Sequence, residues 1–335
     1  MAANQTRTQC EAADESSIRA AAASLRGGGL VAMPTETVYG LAADATSDKA
    51  VARLFAAKGR PAFNPLIAHV LDLEAARRHG RFTREAEMLA EAFWPGPLTL
   101  VLPVAPSCRI SLLARAGLDT IALRVPAHET ARALIQAAGT PLAAPSANRS
   151  GRVSPTTAAH VLADLDGEID WILDGGPSRY GLESTIVACL EPAPTMLRSG
   201  AVSREAIEAS LGAPLGAAVS QGSPSAPGQL RSHYAPRARL RLNAVNAAPD
   251  EAALDFGGAL SDEPSVTRLD LSPSGDMTEA AANLFAHLRA LDEVGARRIA
   301  VAPVPLHGLG EAINDRLERA AAPRDRGGPT ASNRA

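Results

Sequence analysis

Only two of the 33 lysine and arginine residues in this 335-residue chain, Lys49 and Lys58, are lysines. A chain that uses arginine by habit and keeps a lysine in "AAKGRP" points to a site needing a compact point charge rather than a planar fork. Cysteine is also scarce. Cys10, Cys108 and Cys189 are far apart and form no C-x-x-C pair. This argues against a disulfide framework or a zinc site and fits a reducing cytoplasm. Aromatic residues make up 3% of the chain and the net charge is −3. Nucleic-acid recognition by stacking and a global basic field is therefore unsupported. No apolar run approaches the roughly 18 residues of a membrane span, and "MAANQTRTQCEAADESS" has no apolar core of a secretory signal, so a cytoplasmic location is expected. The common chemical signatures are missing too. Neither G-x-x-x-x-G-K-[ST] nor G-x-G-x-x-G occurs, and H-E-x-x-H and G-x-S-x-G are absent.

What remains is an ordinary soluble composition, 46% hydrophobic and 21% charged, in a chain long enough for two domains. Periodicity predicts helices over residues 16–28, 48–58, 83–94, 128–138, 156–164 and 203–211. Strands are predicted over "LVAMP" (30–34), 66–70, 98–103, 120–126, 141–145, 170–174, 184–190 and 195–198. This mixture predicts an α/β domain over residues 14–211 whose twisted sheet is mixed, with some adjacent strands antiparallel. Residues 212–236 are rich in Gly, Pro and Ser and read as a linker. Beyond it, 237–322 repeats a smaller βαβ-like pattern, with residues 1–13 and 323–335 expected to be disordered.

Several strand ends carry cations and hydroxyls. In "PTETVYG", Thr35 and Thr37 follow a strand, where α/β folds receive ligands; a turn with hydroxyl–backbone bonds accounts for them equally well. In "KGRP", Lys58 and Arg60 sit at a helix C-terminus, which favours cations in any case. His69 lies in the apolar strand "LIAHV", as a satisfied core residue could. Arg124 in "TIALRVP" must find an anion, supplied either by a ligand carboxylate or by an internal Asp or Glu. "AAPSANRSGRVSPT" concentrates Ser146, Asn148 and Ser154 in a turn suited to cradling phosphate. "GLESTIV" brings Ser184 to a strand start and "TMLRSG" brings Arg198 to a strand end. Together these pieces describe a cleft that receives anions.

In order and spacing, "PTETVYGLAADA", "KGRPAFNPL", "FWPGPLTLVL", "LRVPAH", "PLAAPSANRSGRVSPT", "ESTIV" and "LRSGAVS" resemble the YrdC/Sua-type threonylcarbamoyl-AMP synthase family. The later "APGQLRSHYAP" is similar to the linker of its two-domain form, whose smaller C-terminal domain is Rossmann-like. The resemblance implies a concave cleft and an enzyme that joins L-threonine, bicarbonate or CO2, and ATP into threonylcarbamoyl-AMP. The product would serve N6-threonylcarbamoylation of adenosine 37 in tRNA, after hand-over to the tRNA-modifying machinery. Carried over residue by residue, Thr35, His69, Arg124, Ser184 and the Ala144 backbone would surround threonine. Lys58, Arg60, Asn64, Thr120, Ser146, Asn148, Ser154, Arg198 and Tyr234 would hold ATP, with Lys58 and Arg60 opposing the charge that develops on pyrophosphate. Mg²⁺ would arrive with ATP, and the linker would act as a lid. Weak binding of double-stranded RNA or tRNA is the remaining partner such a cleft allows.

Overall fold

A computed structural model describes residues 7–190, 193–216, 233–260 and 265–323. Residues 217–232 of the expected linker, and the expected tail from 324, lie outside them.

The chain begins with β1 (Gln9–Ala12), α1 (Glu15–Arg26), β2 (Val31–Met33), β3 (Gly40–Asp44), α2 (Asp48–Lys58) and β4 (Ile67–His69). It continues through α3 (Leu73–Arg77), α4 (Arg84–Phe93), β5 (Leu98–Pro103), β6 (Thr120–Arg124), α5 (Glu129–Ala138) and β7 (Leu142–Ala143). The large domain ends with α6 (Ala158–Leu165), β8 (Trp171–Asp174), β9 (Thr185–Ala188), β10 (Thr195–Arg198) and α7 (Arg204–Leu211). The small domain holds β11 (Arg239–Arg241), β12 (Ala252–Asp255), β13 (Arg268–Asp270), α8 (Met277–Glu293), β14 (Arg298–Val301) and α9 (Gly310–Ala321).

Among the described residues, ten strands form one sheet in the order β1-β8-β2-β3-β7-β4-β6-β5-β9-β10, and four form a second in the order β11-β14-β12-β13. The large sheet is mixed. β4 runs parallel to β6 while β5 and β7 run antiparallel to their neighbours β6 and β4. The small sheet is parallel throughout, as expected for βαβ units. No described helix is long and apolar enough to cross a membrane.

The first 13 residues, read as disordered, include β1, which pairs in parallel with β8 from Gln9 to Ala12. All four of its residues are exposed. An edge strand held only by backbone bonds carries no apolar pattern to announce it. β3 "GLAAD" and α3 "LEAAR" likewise have no counterpart among the expected elements, because five alanine-rich residues are too few to show either period.

Helix α2 shows how local chemistry places the site. Ser47 caps its start by accepting from the Ala50 N–H. At its end Gly59 adopts the left-handed conformation (φ 59°) and returns its N–H to the helix. Lys58 is thus the last helical residue, and the chain reverses immediately into Arg60.

The two domains share a core. Val38, Val153 and Leu182 of the large domain pack in one cluster with Leu254, Phe285 and Leu317 of the small one. Gly181 lies so close to α8 that a Cβ there would meet the Ala281 and Ala282 carbonyl oxygens at 2.6 and 2.4 Å, and its φ is +64°. Gly181→Ala is therefore expected to destabilise the full chain by at least about 2 kcal/mol, through clash and backbone strain together. The midpoint of denaturant unfolding measures this.

Candidate active site

The strand ends named above converge. Parallel pairing sets His69 of β4 directly opposite Arg124 of β6. The turn before β9 supplies Ser184, and antiparallel β10 returns Arg198 to the same edge. Ala144 and Ser146 follow β7, and Thr37 and Val38 follow β2. These residues line a partly open cavity together with Arg60, Glu183, His233 and Tyr234. The last two come from the far end of the linker region, so Tyr234, expected near ATP, stands at the cavity with Arg60 and Arg198.

The expected phosphate cradle is built around Lys58. Its ammonium, 3% exposed, donates to the carbonyls of Ser146 (2.5 Å) and Asn148. Its own carbonyl accepts from the Ser150 N–H at 2.8 Å. The compact point charge expected at Lys58 is thus held between two backbone carbonyls, where it also braces the S-A-N turn. Burial and the neighbouring Arg60 push its pKa well below the usual lysine value. Arg60 bonds the Asn64 and Pro65 carbonyls, and burial lowers its pKa to about 10. Arg198 donates through Nε and Nη2 to the Ser184 carbonyl at 3.1 and 2.8 Å. Nη2 also reaches the Ser184 hydroxyl, which in turn meets Thr99 Oγ1 at 2.8 Å.

Arg124 has found an internal anion. Its Nη2 lies 2.5 Å from Glu36 Oε1, both side chains being at least nine-tenths buried. Glu36 also accepts the Ala127 N–H. Glu36 therefore aims the guanidinium, which still borders the cavity. His69 is 2% exposed, and burial beside Arg124 lowers its pKa to about 3, so it is neutral near pH 7. His233 is pushed well below the usual histidine range by burial and by Arg60 and Lys58.

Three predicted residues stand differently. The Thr35 hydroxyl bonds Thr37 Oγ1 and the Val38 carbonyl, the turn-forming alternative its sequence context allowed. The Ser154 hydroxyl donates to Glu183 at 2.6 Å. Thr120 begins β6, four residues before Arg124, so it shares a strand face with Arg124 but sits about 13 Å along it. Pattern reading passed over Glu36, Glu183 and His233. Each lies inside one of the motifs quoted above, and nothing in its neighbouring sequence marks it; the partners of Glu36 and Glu183, Arg124 and Arg316, are distant along the chain.

A second observation marks this as a ligand site. His69 Nδ1, Asn64 Oδ1, Asn148 Oδ1, His233 Nδ1 and Tyr234 Oη are buried without hydrogen-bond partners. Buried polar atoms are satisfied in the great majority of positions, so orphans grouped in one region call for a polar ligand. The cations around them call for an anionic one. Among the described residues no group of three or more His, Cys, Asp or Glu could hold a metal ion. Glu183, the carboxylate that lines the cavity, is engaged by Arg316 at 2.9 Å and by Ser154.

Comparison with known proteins fits this geometry. The family model described as "Telomere recombination", for the Sua5/YciO/YrdC group, matches residues 23–200. The threonylcarbamoyl-AMP synthase C-terminal domain matches residues 202–322. The chain belongs to the threonylcarbamoyl-AMP synthase family. Within the family, the threonylcarbamoyl-AMP synthase of Pyrococcus abyssi is 42% identical, over 92% of this chain and 95% of its own. The Bacillus subtilis protein of the same name is 41% identical, over 92% and 93%. The crystal structure of P. abyssi Sua5 complexed with L-threonine superimposes with a TM-score of 0.85 at 39% identity, covering 94% of this chain and 96% of that one. A mixed α/β large domain and a parallel small domain are thus the family architecture as well as this chain's.

The histidine supplies a test of the geometry that needs no ligand. Below pH 6.5 the unfolded chain protonates His69, whereas the folded chain refuses the proton until about pH 3. The unfolded state then binds more protons, so His69 makes stability fall as pH falls through that window. In His69→Asn, stability relative to the parent should improve by about 1.4 kcal/mol per pH unit between roughly pH 6 and 4. Urea unfolding at a series of pH values measures it; parallel pH profiles for the two proteins would contradict the buried, neutral assignment.

Proposed function

We propose that this chain is an L-threonylcarbamoyladenylate synthase, a nucleotidyltransferase that makes threonylcarbamoyl-AMP and pyrophosphate from L-threonine, bicarbonate or CO2, and ATP. One observation carries the reading. Lys58, Arg60, Arg124, Ser146, Ser184 and Arg198, separated by up to 140 positions in sequence, converge on one cavity region that also holds unpartnered buried acceptors. Family membership and the likeness to a relative bound to L-threonine support it.

In this reading threonine lies over the His69–Arg124 end of the cavity. Arg124, aimed by Glu36, meets the carboxylate, while Ser184, the Ala144 backbone and the Thr35 turn shape the remaining walls. Neutral His69 offers a hydrogen bond without adding a charge. ATP takes the Lys58–Ser146–Asn148 side, with Arg60, Asn64, Ser154, Arg198 and Tyr234 around it and Thr120 farther along the sheet. The threonine amine, as the free base, attacks the carbon of CO2, forming the C–N bond and releasing a proton. The resulting carbamate oxygen attacks the α-phosphorus of ATP. The bond from that phosphorus to the bridging oxygen breaks, and the electron pair leaves on pyrophosphate. Charge accumulates on the departing group, and the buried guanidiniums and ammonium stabilise it without reorganising. No covalent enzyme intermediate is needed. The family chemistry includes Mg²⁺, which neutralises phosphate charge when bound. The carboxylate at the cavity, Glu183, is already engaged by Arg316 and Ser154, so the ion would be held by the ATP phosphates. The carbamate is labile, so the reaction requires water to be kept from it while both substrates are bound. The product would supply N6-threonylcarbamoyladenosine formation at position 37 of tRNA.

The direct assay is pyrophosphate release with threonine and bicarbonate each omitted in turn. Release should require both; release from ATP alone at an equal rate would defeat the proposal. Lys58→Arg keeps the charge but replaces a compact ammonium, fitted between two carbonyls, by a longer planar group. It should lower kcat/KM for ATP at least tenfold, and parental kinetics in that variant would remove Lys58 from the machinery.

A further inference from the structure

Arg316 is the small-domain side chain that meets Glu183 at the cavity. Arg316 on α9 is 0% exposed, the bulkiest fully buried side chain among the described residues. Its Nε donates to Glu183 Oε2 at 2.9 Å and its Nη2 to the Ser199 carbonyl at 2.9 Å. Its Nη1 is held by Asp315 of its own helix at 2.6 Å. Its guanidinium lies 5.2 Å from the centre of the Tyr234 ring, which stacks on Phe285 of α8 at 5.5 Å. One group from the small domain thus touches the turn before β9, the turn after β10 and the end of the linker region. Those two turns already press together, since a Cβ on Gly200 would fall 2.4 Å from the Glu183 carbonyl oxygen.

Glu183 makes this contact more than structural. It is the carboxylate among lining residues whose charged members are otherwise the guanidiniums of Arg60, Arg124 and Arg198, and it is 6% exposed. The guanidiniums whose fields act on it are Arg316 and Arg198. With Arg316 present, its charge is answered from the small domain. Without Arg316, the remaining guanidinium partner is Arg198, which an anionic ligand also needs.

We propose that Arg316 is a positioning residue for nucleotide binding: it supplies the counter-charge to Glu183 from the second domain, and so keeps the charge of Arg198 directed at the phosphates. The inference rests on the nucleotide role given to Arg198 under the proposed function. It also gives the small domain a task, which is to complete the electrostatics of a site whose other charges belong to the large one.

The experiment uses the full chain, with ATP affinity read by calorimetry and KM read by threonine-dependent pyrophosphate release. Arg316→Gln should weaken ATP binding and raise its KM at least tenfold, while KM for threonine stays within about threefold. Arg316→Lys keeps the charge and should stay within about fivefold of the parent for ATP. The double variant Arg316→Gln with Glu183→Gln removes the acid that needs a partner, so ATP affinity should recover to within about threefold. It also leaves no unpaired buried charge, so it remains a test if the single variant fails to fold. Arg204→Ala, which cuts a peripheral ion pair from α7 to Glu311 of α9, should change ATP affinity less than twofold. The proposal is overturned if Arg316→Gln binds ATP like the parent. It is also overturned if Arg316→Lys is as defective as Arg316→Gln, if the double variant recovers nothing, or if Arg204→Ala produces the same loss. A parent that binds ATP but releases no pyrophosphate with threonine would defeat the functional reading alone, because the calorimetric comparison still decides the role of Arg316.

Discussion

Burying Lys58, Arg60, Arg124 and Arg198 around one cavity is the constraint on which the rest of this molecule depends. A charge removed from water costs several kcal/mol unless something polar replaces the hydration, and like charges side by side add to that cost. The protein meets it with fixed oxygens. Two carbonyls take the Lys58 ammonium, two take Arg60, the Ser184 carbonyl takes Arg198, and Glu36 takes Arg124. These partners leave the cluster net positive and its orientation set before any ligand arrives. The polyanionic substrate proposed above would enter a field already organised for it, the condition under which electrostatic catalysis is most effective.

The fold follows from supplying those oxygens. Lys58 must end α2 so that its side chain passes under the turn after β7, and Gly59 in the left-handed conformation ends the helix there. His69 and Arg124 must come from parallel strands to stand opposite each other, and Ser184 and Arg198 from an antiparallel pair to share an edge. A wholly parallel sheet would place strand ends of one polarity along its rim. The mixed sheet brings both polarities to one region, with hydroxyls from strand starts beside cations from strand ends.

The motifs legible in the sequence were those whose chemistry is local. A glycine after a lysine at the end of a periodic segment predicts the helix stop, and a serine–asparagine turn after a short strand predicts a place for phosphate. Tyr234 was named from its motif, and it does border the cavity. What escaped was non-local. Arg316 sits in "INDRLERAA", where an arginine between Asp315 and Glu318 and three residues before Arg319 reads as part of an exposed helix face, and nothing nearby tells that α9 turns it inward. Glu183 in "GLEST" and Glu36 in "PTET" look like ordinary turn acids until their partners, 133 and 88 positions away, are in place. The edge strand β1 is held by backbone pairing to β8, which side-chain patterning does not encode.

By itself the sequence determined a two-domain α/β protein, the absence of the common nucleotide loops and nucleophile motifs, and the residue types of an anion-receiving cleft. Those are consequences of composition and short-range spacing, which act within a few residues along the chain. Only the tertiary structure decided which charges are paired within the protein and which face the cavity, because Coulomb energy and desolvation depend on distances through space. It gave Arg124 an internal partner, fixed the Lys58 ammonium between two backbone carbonyls, and brought Arg316 of the second domain against the acid at the rim of the first.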